Sequence, residues 1–136
     1  MVPQTLRNWF VAHFWIDIAF AIPLFVAPEF TLRLLGWTQV DPISTRLAAA
    51  ALFGIGIESY LGRNADRSSF IAMLNLKCIW AGSATVGIFW SMLQGAPLLG
   101  WGFCAIFAAF FGVWFSFRRQ LMGEGVAALG SESKSD

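Results

Sequence analysis

Charge is the scarcest ingredient of this chain. Nine basic and eight acidic residues leave 12% of its 136 positions charged, about half the share found in a soluble domain. A disordered polyampholyte is thereby excluded, and a formal net charge of +1 gives no basic surface for nucleic acid. Histidine occurs once and cysteine twice. No two-histidine haem site can be built from that set, and neither Cys78 nor Cys104 has metal or redox spacing. No metal, cofactor or disulfide is therefore expected, and the two thiols read as apolar-facing side chains.

What the chain does hold is apolar mass: 57% hydrophobic residues, with 14 Phe and 7 Trp. Four stretches approach the roughly 20 residues needed to cross a bilayer. They cover about residues 9–27, 43–61, 70–93 and 98–117, broken at Pro28-Glu29, Asp41-Pro42, Gly62 to Ser68, and Gln94 to Pro97. A segment in lipid must satisfy its own backbone hydrogen bonds, so all four are expected as helices. The expected fold is all-α: a four-transmembrane-helix bundle over residues 1–120 and a disordered polar tail over 121–136. The segment Phe30 to Thr38, with Leu, Arg and Trp interleaved, suits a short helix on the outer surface. A cleavable signal rarely tolerates residues such as His13 and Asp17, so the first stretch reads as a mature span.

Arginines orient the bundle. Arg7, Arg63, Arg67, Arg118 and Arg119 fall at one end, and Arg33 and Arg46 at the other. The positive-inside rule then places both termini in the cytoplasm of a bacterial-type inner membrane. Trp9 and Trp114 are expected near the inner interface, and Trp37, Trp90 and Trp101 near the outer one. Arg46, at the outer mouth of the second span, could reach lipid phosphates, cap the neighbouring loop, or hold an anion.

The informative residues are those that break the apolar runs. His13, Asp17, Glu58 and Lys77 each cost about 2.5–3.5 kcal/mol in a bilayer on insertion scales. Counting from the cytoplasmic end of each span at about 1.5 Å per residue puts them at ~6, ~12, ~5 and ~10 Å. Three helices thus contribute to one layer. His13 and Asp17 are four apart and share a face. Glu58 continues a stripe through Leu47, Ala51 and Gly54, while Lys77 shares its face with Phe70, Met73, Leu74 and Ala81. Asn75 lies about 200° away from Lys77 and is expected to bond elsewhere.

Two readings of that layer stay open. In the first, Asp17 or Glu58 pairs with Lys77 and fixes helix register, in a non-catalytic accessory protein or complex subunit. In the second, Asp17, Glu58 and His13 handle protons on a lipophilic small molecule, quinone- or isoprenoid-like, bound within the membrane. Arg63 could reach Glu58 from the interface. Partners expected from the sequence are the bilayer, a membrane protein or second copy, and such a lipophile; no nucleic acid is expected. Enzymatic activity is left open, with the balance against it.

The order IPLFVAPEF, LLGW and DPISTRLAAAALFGIGIESYLGRNA, from about Phe20 to Arg63, resembles the layout of DoxX-like small four-helix membrane proteins. Pro28, Leu35, Gly36, Arg46, Leu47, Gly54 and Gly56 match that scaffold. The resemblance implies a fold. It carries no catalytic residue onto this chain.

Overall fold

Each break marked in the sequence becomes a turn between helices. The computed structural model describes residues 1–132, with side chains through Glu124. Among these residues there are five α-helices and no strand. They are α1 (Gln4–Val26), α2 (Pro28–Leu34), α3 (Pro42–Leu61), α4 (Arg67–Leu93) and α5 (Gly100–Glu132), with a 3-10 turn at Gly62–Asn64.

Local chemistry sets the boundaries. Asp41 caps α3, its carboxylate accepting from the Ile43 and Ser44 amides at 3.0 and 3.3 Å. Pro42 takes the first helical position, where no amide hydrogen is needed. Asp66 caps α4 by accepting from the Ser69 amide at 2.9 Å. These bonds hold both carboxyls below their ordinary value of 3.8. The Ser44 hydroxyl contributes most at Asp41 and the Ser69 hydroxyl most at Asp66. α2 ends in a Schellman motif, in which the Trp37 amide donates to Leu32 O at 2.9 Å and the Gly36 amide to Arg33 O at 3.0 Å. Gly36 adopts φ +96°, a conformation that only glycine takes freely, and so turns Trp37 back over the bundle.

The long helices form two antiparallel pairs, α1 with α3 and α4 with α5. Arginines staple the pairs at their ends. Arg7 at the start of α1 donates to Arg63 O beyond the end of α3 at 2.6 Å, and Arg46 at the start of α3 donates to Phe25 O on α1 at 3.2 Å. Arg67 reaches Leu121 O across the second pair. Backbone approach is closest within each pair. Between pairs the contacts are made by large side chains, such as Phe10 against Phe70 at 4.8 Å and Phe20 against Phe103 at 6.0 Å. Leu6, Phe10, Phe70, Met73, Leu74, Trp114 and Leu121 fill the end that holds the start of α1 and α4. That core plugs one end of the bundle.

Three helices are long and apolar enough to cross a membrane: α1, α4, and α5 as far as Glu124. They mark a multi-pass membrane protein. α3, expected as a fourth span over residues 43–61, does not reach that apolarity. It is 20 residues long, but the charged Arg46 and Glu58, together with Pro42, Ser44, Thr45, Ser59 and Tyr60, dilute its aliphatic residues. Of its small residues, Ala49 and Gly56 are buried against the bundle, while Ala48, Ala50 and Gly54 are exposed. Trp114, expected at an interface, is 1% exposed and is the largest fully buried side chain. The backbone of α5 continues helical to Glu132. The side chains of most of the expected tail, from residue 125 onward, lie outside the described residues, as do residues 133–136.

Candidate functional site

α1 buries a single stripe: Leu6, Phe10, His13, Asp17 and Ala21. The steps of three and four residues keep these on one helical face. The stripe begins as plug and becomes polar at His13. α4 does the same, burying Phe70, Met73 and Leu74 before Lys77 and Ala81. α1 and α4 run parallel, so the two polar steps meet at one level, directly above the plug.

His13, Asp17 and Lys77 are only 6, 5 and 3% exposed. The Lys77 ammonium donates to the Ser59 hydroxyl at 2.7 Å and lies 3.2 Å from His13 Nδ1. It also stands 4.9 Å from the ring centroids of both Phe10 and Trp114, within reach of a cation–π attraction. Ser59 in turn donates to Ile55 O at 2.5 Å. The His13 ring is held edge-on by Phe110 and Trp114, at 4.8 and 5.1 Å.

Asp17 is the group left short. Its Oδ2 is 2.9 Å from His13 Nδ1, yet this buried oxygen has no hydrogen-bond partner among the described residues. The cause is competition for one nitrogen. Nδ1 either carries a hydrogen and faces Asp17, or offers a lone pair and accepts from Lys77; it cannot do both. Both groups stand within reach of that nitrogen, Asp17 at 2.9 Å and Lys77 at 3.2 Å, so the imidazole serves one at a time. No Lys77–carboxylate contact within 4.0 Å exists among the described residues, so the direct ion pair of the first reading is not formed and both groups converge on His13 Nδ1 instead.

Above this trio the two helix pairs part around a cavity of about 670 Å³. His13, Asp17 and Lys77 form its floor, and its walls are apolar, including Leu24, Leu52, Trp80 and Phe103. Trp37, delivered by the α2 turn, lines the far end. From His13 to Leu24 the wall of α1 rises by about 16 Å at 1.5 Å per residue. Ser44, Thr45 and Ser91 also line the far end, but their hydroxyls are already used. Thr45 donates to Asp41 O at 2.7 Å, Ser91 to Gly87 O at 3.0 Å, and Ser44 to the Asp41 carboxylate. Unsatisfied polarity is thus concentrated at the floor.

The remaining sequence candidates lie elsewhere. Glu58 is exposed, as are Leu47 and Gly54 from the stripe assigned to it. α3 turns a different face inward, formed by Thr45, Ala49, Gly56 and Ser59. Arg46 holds the Phe25 carbonyl, and Arg63 lies over the Tyr60 ring at 3.8 Å. Asn75 accepts from Arg118, away from Lys77. Ser59 and Phe10 escaped the sequence reading, and Trp114 was expected at the interface instead; Gly56, a match to the scaffold, is the point where α3 meets Asp17. A buried lysine demands acceptors and aromatic faces, and the next residue after Glu58 on α3 is a hydroxyl, which was the available signal.

Comparison with protein-family models, with curated proteins and with solved structures returns no match.

Proposed function

We propose that this protein binds a lipophilic small molecule inside the membrane, with the polar head on Asp17, His13 and Lys77 and the apolar part in the cavity above them. One observation carries the reading: a buried carboxylate oxygen, with no hydrogen-bond partner among the described residues, on the floor of a largely apolar cavity. Pockets of about 300–1,000 Å³, largely apolar with a few convergent polar groups, are the usual form of a small-molecule site. A register lock alone would be better served by a direct Asp–Lys pair with no cavity beside it. The class of ligand is quinone- or isoprenoid-like in the sense of one polar head on a hydrocarbon body.

Binding, rather than turnover, is the function proposed. In this reading α3 completes a four-span bundle. Its Arg46 snorkels at one end and its Glu58, one turn from the other, faces the interface. The arginine-rich end faces the cytoplasm. The DoxX-like layout of residues 20–63 is the scaffold on which the cavity is built.

Native mass spectrometry of the protein released directly from membrane tests the proposal. A retained small molecule, lost in the Lys77→Met and Asp17→Asn variants that keep their helical content, is the expected result. A protein that emerges empty from several lipid backgrounds would refute it.

A further inference from the structure

The floor of the cavity specifies the head group more closely than its walls specify the tail. Asp17 Oδ2 is an acceptor in want of a donor. Lys77 is supplied by Ser59 and His13, and by two aromatic faces. The floor already holds one carboxyl and one amine of opposite formal charge, so it has no net charge to offer an ionic head. A second carboxylate would stand beside Asp17, and a second ammonium beside Lys77, each a like-charge pair in surroundings that screen poorly. A head that only accepts, such as an ether or ketone, leaves Asp17 unsatisfied.

We infer that the cavity selects a neutral lipophile whose head is a hydroxyl, with the O–H donated to Asp17 and the hydrocarbon directed toward Trp37. This rests on the binding proposal above and narrows it to a substrate class of alcohols and phenols. A hydroxyl also resolves the competition at His13. Once Asp17 receives a donor from the ligand, Nδ1 is free to accept from Lys77, and the ligand oxygen keeps lone pairs for the floor's donors.

The test uses the full-length chain in phosphatidylcholine nanodiscs and four probes with one shared chain: dodecanol, dodecyl methyl ether, dodecanoic acid and dodecylamine. Trp37, Trp80 and Trp114 line the cavity, so saturable change in tryptophan fluorescence, corrected with empty nanodiscs and a tryptophan solution, reports occupancy. A hydrogen bond to a charged acceptor predicts a Kd for dodecanol at least about 10-fold below that of the ether. In Asp17→Asn, whose amide can donate to the ether, that ratio is expected to fall toward unity. Equal binding of alcohol and ether, or tightest binding of the acid or the amine, overturns the hydroxyl assignment while leaving the cavity a binding site. Failure of all four probes to saturate, in a protein that also carries no lipophile from the membrane, overturns the binding proposal and this inference with it. Should Asp17→Asn lose its helical circular dichroism, the alcohol-to-ether ratio of the unmodified protein decides alone.

Discussion

A methyl group added at Gly56 probes the contact on which the floor depends. A Cβ there would lie 2.8 Å from Asp17 Cβ, 3.3 Å from Asp17 Oδ2 and 3.5 Å from its Cγ. The nearest atom is fixed to the α1 backbone, so no rotamer change relieves the clash; α1 and α3 must separate. Overpacking of this kind costs about 1–3 kcal/mol. Gly54, two residues away on the same helix, is the internal control, because a Cβ there meets nothing within 4 Å. Both substitutions gain up to about 1 kcal/mol of helix propensity. That gain cancels in the comparison, leaving Gly56→Ala less stable than Gly54→Ala by about 1–3 kcal/mol. Chemical denaturation in detergent, followed by tryptophan fluorescence, measures the difference. Gly56→Ala is also expected to lose bound lipophile, since Asp17 is displaced with α1. Equal midpoints would refute the packing of α3 on α1. A larger loss for Gly54→Ala would mean that α3 is rotated so that Glu58, and not Ser59, faces Lys77.

Lys77→Met removes the floor's cation and is expected to destabilise by about 3–5 kcal/mol, as for other broken buried charge networks. Glu58→Gln, on the exposed face, should stay within about 0.5 kcal/mol. In double-mutant cycles Lys77→Met should couple to Asp17→Asn by about 0.5–3 kcal/mol and to Glu58→Gln by nothing measurable; coupling to Glu58 instead would restore the ion-pair lock. Leu52→Trp places a larger ring in the cavity, and mass spectrometry should then find the retained lipophile gone while the helical content is unchanged. The caps at Asp41 and Asp66 have carboxyls held below 3.8, so their contribution is complete above that pH and is lost as the pH falls through the lower folded values. The unfolding midpoint should therefore drop in acid more steeply for the natural protein than for the Asp41→Asn, Asp66→Asn double variant. Asparagine caps as well as aspartate but does not titrate in this range. Parallel pH profiles would show that the caps do not contribute.

The parts of the site legible in the sequence are those written in helical periodicity. His13 and Asp17, four apart, can only share a face, and the run Phe70, Met73, Leu74, Lys77, Ala81 names the inner stripe of α4 because apolar residues flank the lysine on both sides. α3 offers no such contrast. Its residues 47, 51, 54 and 58 form one stripe of mostly small and ionisable side chains, and 45, 49, 56 and 59 form another of much the same polarity, about 155° away at 100° per residue. Nothing local chooses between them. The choice is made across the interface, where Gly56 lets the Asp17 Cβ approach and Ser59 meets the Lys77 ammonium. Polar residues on both sides of the helix also explain the membrane assignment: Arg46 and Glu58 on the exposed side and Thr45 and Ser59 on the buried side lower the apolarity of α3 taken on its own. Trp114 was misplaced for a related reason. A tryptophan near a span's end fits an interfacial belt by position alone, but a buried ammonium on the neighbouring helix α4 gives its π face a stronger use. The cavity is a consequence of pairing. α1 packs most closely on α3, with Gly56 against Asp17, and α4 on α5, while Trp80, Phe103 and Trp114 line the space left between the pairs. Residues that look like packing filler thus border the space, and the buried Asp17 oxygen on its floor is the group that a bound hydroxyl is proposed to satisfy.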